Sequence, residues 1–130
     1  MSIEKKIYYH DTDAGGVVYY GNYLKYLEEA RTAFLEDKGL SVRELWQEHH
    51  FLYAVRKCLI EYKSPARYGD SILCDAVLKK ITAAQIVFDQ RIFNSLTKIL
   101  LVEAEVTLVS LDNNFKPTPI PENIKTALSS

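Results

Sequence analysis

From residue 51 onward the chain runs through four long stretches rich in Val, Ile, Leu, Phe and Tyr, at 51–63, 71–81, 84–94 and 98–111, with charges interspersed at strand-like spacing. The connecting pieces, SPARYGD, ITAA and NSLTK, are short enough to make these strands antiparallel neighbours. Ahead of them the period changes. Tyr23, Tyr26, Leu27, Ala30, Phe34 and Leu35 recur at three and four residues, which predicts a long helix with Asn22 as its N-cap and Lys38-Gly39 as its stop. Residues 41–50 read as a short second helix, capped by Ser41 with Glu44 three residues on. Residues 3–9 give a first strand and 10–16 a loop. The tail KPTPIPENIK, with three of the four prolines, reads as an extended edge before a frayed end. The order is that of an α+β domain, one antiparallel sheet of about five strands with one long helix packed on it. One helix covers one face, so the other face is either wet or lies against another subunit.

A length of 130 residues with 48% hydrophobic and 25% charged residues fits one globular domain over 1–130, large enough to bury a core without staples. A net charge of −1 argues against a dedicated nucleic-acid binder. Cys58 and Cys74 each lie inside an apolar run and read as buried free thiols. The absence of a paired CxxC, and the adjacency of His49 and His50, leave no metal-ligand pattern. The N-terminus turns acidic before any apolar segment forms, and no apolar run approaches the roughly 20 residues of a membrane span, so a cytoplasmic protein is expected. Nine Tyr against one Trp and five Phe is the unusual feature, since tyrosine favours half-wet places where a ring packs and a hydroxyl needs a partner.

The stretch that carries chemistry runs from His10 to Tyr23, HDTDAGGVVYYGNY. Two carboxylates precede two glycines, then an apolar and aromatic quartet, then a helix start. Glycines let backbone approach a ligand closely, and the first N–H groups of a helix bind anions or developing negative charge. A carboxylate on the loop before such an end would face an oxyanion site, a pairing suited to hydrolysis of a reactive acyl compound. Taken alone, the same residues also describe an ordinary turn and cap.

DTDAGGVVYYGNYLKYLEEAR, with the later VRKCLIEYKSPARYGD and EAEVTLVSLD…KPTPIP, resembles the YbgC-type acyl-CoA thioesterases, kin of the 4-hydroxybenzoyl-CoA thioesterase group. The likeness runs from about residue 7 to about residue 121. It implies the hotdog fold, a long helix wrapped by a five-stranded antiparallel sheet, and hydrolysis of acyl-CoA to free acid and CoA without metal or organic cofactor. It also implies a homodimer with the site at its interface, pairing further into tetramers. On this resemblance Asp13 falls on the catalytic carboxylate, as nucleophile or general base. Tyr20 falls where the backbone N–H at the helix start polarises the thioester carbonyl. Such enzymes commonly carry His at that position and Glu at position 10. This chain has Tyr20 and His10, so no histidine role carries over, whereas a backbone donor survives any side chain.

A thiolate leaves without a strong general acid, so few groups suffice. The oxyanion hydrogen bond is the large expected contribution, about 3 kcal/mol. Val18, Tyr19 and Asn22 are candidate substrate contacts beside the helix start. Glu28 is another, because some related enzymes place their carboxylate on the long helix. The plainer alternative pairs Glu28 with Arg31 and leaves Glu29 in solvent. His10 either contacts Asp13 or caps the loop. Lys57, Lys63, Arg67, Lys79 and Lys80 are candidates to hold the phosphates of CoA, or simply keep a strand edge soluble. The carrier is CoA or acyl carrier protein. Two rivals are weighed. A dehydratase would need a histidine paired with a carboxylate, and His10 is the only histidine near the site. A non-catalytic carrier-binding module would have no use for Asp13. The lack of a GxSxG elbow excludes a serine hydrolase.

Overall fold

The computed structural model describes residues 1–130. Strand β1 (Ser2–Lys6) leads through a short 3-10 turn at Tyr9–Asp11 to helix α1 (Asn22–Asp37) and helix α2 (Val42–Gln47). Strands β2 (Leu52–Tyr62), β3 (Ser71–Ile81), β4 (Gln85–Asn94) and β5 (Leu100–Leu111) follow, and helix α3 (Glu122–Ser129) ends the chain. The five strands form one antiparallel sheet in the order β1-β3-β4-β5-β2, so the α+β expectation holds.

Local chemistry accounts for the element ends. Gly39 takes φ +75° and its N–H donates to the Glu36 carbonyl, while the Leu40 N–H reaches back to Leu35, a Schellman close that needs a residue without Cβ strain. Ser41 caps α2 by accepting the Glu44 N–H at 3.1 Å. Three expectations are corrected. The first strand ends at Lys6, because Tyr9–Asp11 coil into the 3-10 turn. Gly21, not Asn22, stands at the N-cap of α1. The tail does not fray: after Pro121 it turns helical and buries Ile124 and Leu128 in the same core as Leu35, Leu40 and Leu45.

Alternation along the strands sends Cys74, Ala76, Phe88, Ile92, Val102 and Val106 to the face beneath α1, where Tyr26, Leu27 and Ala30 complete the core. Phe34 of α1 meets Phe88 edge to face at 5.3 Å. The opposite face carries cross-strand rows such as Asp75–Arg91–Glu103–Glu61, and is polar. Cys74 is fully buried and its thiol is pushed up to about 12, chiefly by burial.

Burial also raises the phenols of Tyr23, Tyr26 and Tyr53 above the ordinary tyrosine value, and for Tyr26 the adjacent Asp11 carboxylate adds to the effect. A folded value above the unfolded one means stability that is complete below the unfolded value near 10 and is lost as pH rises through the folded one. Denaturant midpoints are therefore expected to stay flat from neutral pH to about 9 and to fall above about 10. Tyrosinate absorbance from the buried Tyr23, Tyr26 and Tyr53 should appear only together with unfolding. Titration of all nine tyrosines with the fold intact would contradict this.

Candidate active site

Residues 11–19 fold into a small hairpin. The Asp13 N–H donates to the Val17 carbonyl at 2.9 Å, Thr12 bridges Val18, and the Tyr19 N–H donates to the Asp11 carbonyl at 3.0 Å. Gly16, at φ +79°, closes the tip by donating to the Asp13 carbonyl. Asp13 sits exposed at this tip, with Oδ1 accepting the Gly15 N–H at 2.8 Å and Oδ2 without a partner in the chain. The hairpin base is fixed on both sides. The Val18 N–H donates to the Ala66 carbonyl, and the Ala66 N–H donates to the Tyr23 hydroxyl at 3.0 Å. The buried Asp11 carboxylate accepts the Tyr8 N–H at 2.9 Å.

The entry to α1 leaves two donors uncommitted. The N–H groups of Asn22, Tyr23 and Leu24 turn back onto the carbonyls of Tyr19, Tyr20 and Gly21, while those of Tyr20 and Gly21 make no hydrogen bond. Beside them lies a cleft of about 250 Å³ lined by Val18, Tyr20, Tyr23, Tyr62 and Lys63 with Ser64 and Pro65. Tyr62 stands edge-on to Tyr20 at 6.2 Å and tilts on Tyr23 at 5.7 Å. Burial raises the Tyr62 phenol, with smaller contributions from Cys58 and Tyr20. Sequence reasoning passed over Tyr62, because only the fold of β2 against the helix start brings it there.

The other predicted residues scatter. Tyr19 tilts against Tyr20 at 4.9 Å without lining the cleft. Asn22 faces inward and donates its amide to the Asp11 carbonyl at 2.9 Å, bracing the hairpin. Glu28 lies in a separate groove of about 480 Å³ with Val42, Trp46, Phe51 and Tyr53. It forms no ion pair with Arg31, whose guanidinium donates to Gln90. Glu29 is not free in solvent but paired with Lys5 at 3.2 Å. His10 stacks on Tyr8 and lies 3.8 Å from Asp11, not on Asp13. The five cations do not form one cluster. Lys63 lines the cleft and Arg67 pairs its backbone with Val17 of the hairpin. Lys79 is bound to Glu105 at 2.6 Å, and Lys57 and Lys80 fall on one cross-strand row of the polar sheet face. No three His, Cys, Asp or Glu side chains converge on a metal-sized site, and no helix is long and apolar enough to cross a membrane.

A carboxylate at a hairpin tip, uncommitted amides at a helix start and an aromatic cleft make a donor set suited to attack on an activated acyl carbonyl. The comparisons with known proteins give the family. The model of the thioesterase-like superfamily matches residues 8–128. The acyl-CoA thioester hydrolase YbgC of Escherichia coli is 39% identical over 120 residues, spanning 92% of this chain and 88% of that protein. The acyl-CoA thioesterase YbgC of Haemophilus influenzae is 31% identical over 128 residues, 98% of this chain and 93% of its own. Slr0204, a 1,4-dihydroxy-2-naphthoyl-CoA thioesterase from Synechocystis, superposes with a TM-score of 0.89 at 26% identity, covering 99% of this chain and 95% of its own. Sequence likeness, shared topology and the architecture of the hairpin thus converge, and the chain belongs to the thioesterase-like superfamily as a hotdog-fold thioester hydrolase of the YbgC type.

Proposed function

We propose that the protein hydrolyses acyl-CoA thioesters to the free acid and CoA, with Asp13 as the reacting carboxylate and the Tyr20 N–H as the oxyanion donor. The observation that carries this reading is the placement of a carboxylate with one free oxygen and an uncommitted amide on one short hairpin. Tyr20 lies three residues beyond Val17, whose carbonyl accepts the Asp13 N–H, so both groups belong to the same hairpin and its exit into α1. As the C–S bond breaks, the thiolate leaves and takes up a proton from solvent. Lys63 and Arg67 are the cations set beside the cleft to meet the carrier's phosphates. Lys57, Lys79 and Lys80 lie too far across the sheet to join them in one protomer.

The cleft is smaller than the roughly 300–1,000 Å³ of ordinary ligand sites, which supports a site completed by a second copy. Strand β2 is an edge of 11 residues, with Val55, Leu59 and Tyr62 half exposed, and a long free edge is a template for pairing. The Tyr62 cleft lies at one end of β2 and the groove of Glu28, Trp46 and Tyr53 at the other. Antiparallel self-pairing about the middle of β2 sets the cleft of one copy beside the groove of the other. Val18 and Tyr20 of one copy and Glu28 of the other are then walls of a shared acyl pocket.

The test is thiol release from short-chain, long-chain and aromatic acyl-CoAs, alongside sedimentation. Turnover of at least one class by a dimer or larger assembly is expected. A monomer active at full rate would overturn the shared pocket. No release from any thioester, with tight binding of acyl carrier protein, would leave a non-catalytic binding module.

A further inference from the structure

Tyr8, Tyr9 and Tyr68 have no part in the hydrolytic machinery, and the fold gathers them on one surface. Tyr9 is 81% and Tyr68 63% exposed, and their rings meet edge to face at 6.0 Å. Tyr8, also exposed, stacks on His10 with the planes 8° apart, and the Lys6 ammonium lies 5.8 Å from the Tyr8 ring. Bare contiguous aromatic surface is uncommon on a folded domain and marks binding. Nor is this a loose loop. The Ile7 N–H donates to the Asp70 carbonyl at 2.8 Å, the Gly69 N–H returns to the Ile7 carbonyl at 3.0 Å, and the Arg67 N–H donates to the Asp70 carboxylate at 2.9 Å. Gly69, at φ +87°, makes the turn that presents Tyr68. The guanidinium of Arg67 has no ion-pair partner. Its backbone pairs with Val17, which pairs with Asp13, so two strand spacings of about 4.8 Å separate the Arg67 backbone from that of Asp13.

We propose that Tyr9 and Tyr68 form a stacking shelf for the adenine ring of the CoA carrier, with Arg67 taking a phosphate of the same nucleotide. The proposal rests on the acyl-CoA reading above and extends it to the far end of the substrate. Every nucleobase offers a π-face to an exposed tyrosine, and a planar guanidinium matches phosphate oxygens. An aromatic pair beside a free cation fits a nucleotide better than an acyl carrier protein, which brings the same arm without a base. The shelf also lies within the span of a pantetheine arm whose thioester is at Asp13.

The test compares two thioesters of one acyl group, on CoA and on pantetheine, in the full chain and in Tyr9→Ala/Tyr68→Ala. Loss of stacking should raise KM for the CoA ester about tenfold, leaving kcat and the pantetheine ester unchanged. The Tyr9→Phe/Tyr68→Phe variant, which keeps the rings, should restore KM. Calorimetric titration with adenosine 3′,5′-bisphosphate should show binding to the wild type and about tenfold weaker binding to the double alanine variant. Unchanged CoA-ester KM and unchanged bisphosphate affinity would overturn the shelf. An equal rise in KM for both esters would overturn it in favour of a distorted site, and a defect confined to acyl carrier protein substrates in favour of protein docking. If wild type hydrolyses neither ester, the thioesterase reading fails by itself and the bisphosphate titration still decides the shelf.

Discussion

Asp13→Asn is expected to lower kcat for thioester hydrolysis by about 10²–10⁴, with KM and the thermal midpoint close to wild type. The side chain is exposed at a hairpin tip and its one hydrogen bond is accepted from Gly15, a role the asparagine oxygen can take over. What the change removes is the negative charge on the free oxygen. That oxygen either attacks the carbonyl, giving a mixed anhydride that water then opens, or takes a proton from the attacking water. In ¹⁸O-labelled water, label in the Asp13 carboxylate after one turnover would establish the anhydride route with water opening it at the aspartyl carbon, whereas opening at the acyl carbon and general-base attack both place the label in the acid product. Near-wild-type turnover in the asparagine variant would sink the role of Asp13 under either route.

The largest expected effect on stability lies away from the site. Arg31 is buried and forms no ion pair with a carboxylate. Its Nη1 donates to Gln90 Oε1 at 2.9 Å, and Gln90 in turn donates to the carbonyls of Leu27 at 3.0 Å and Asp75 at 3.3 Å. One fully buried glutamine thus ties α1 to β3 and β4. Burial already pulls the Arg31 guanidinium below its ordinary value, with Glu28 opposing. Gln90→Leu strands this cation and should cost about 3 kcal/mol, or a fall in Tm of roughly 10 °C. Arg31→Met combined with Gln90→Leu should recover most of that loss, since the pair is replaced by apolar groups of similar length. A single-variant loss under about 1 kcal/mol would show that water reaches Arg31 and that the network is not needed.

What could be read from the sequence divides along physical lines. Strand identity followed most directly from periodicity where one face is buried, as the alternation of Ile72, Cys74 and Ala76 in β3 shows. Asn22 was misplaced because its side chain has a better partner than the helix end, the Asp11 carbonyl, which only the hairpin brings near. The tail was misread because its prolines outweighed a helical signal behind them: Pro121, Glu122 in the first turn, and Ile124 and Leu128 four apart. The lysines looked like one group because strand numbering hides register. Lys63 lines the cleft, whereas Lys80 sits across the sheet from Lys57 with two strands between. The loop that carries Asp13, and the helix behind it, were legible because the motif is local. The contacts of Tyr62 with Tyr20 and of Tyr9 with Tyr68 were not, since each joins segments far apart in the chain.

The order β1-β3-β4-β5-β2 has a consequence during synthesis. Strand β2 ends at Tyr62, yet its only partner in the chain is β5, which ends at Leu111. On the ribosome these 49 intervening residues take roughly 2–10 s to make. For that interval Leu52–Tyr62 waits with both edges open, beside other nascent copies on the same message. The strand most exposed to premature pairing is the same one whose outer edge stays free in the finished fold. Its lysine, arginine and glutamate, and the register break between Val55 and Lys57, are the features that keep a waiting β2 from joining too soon.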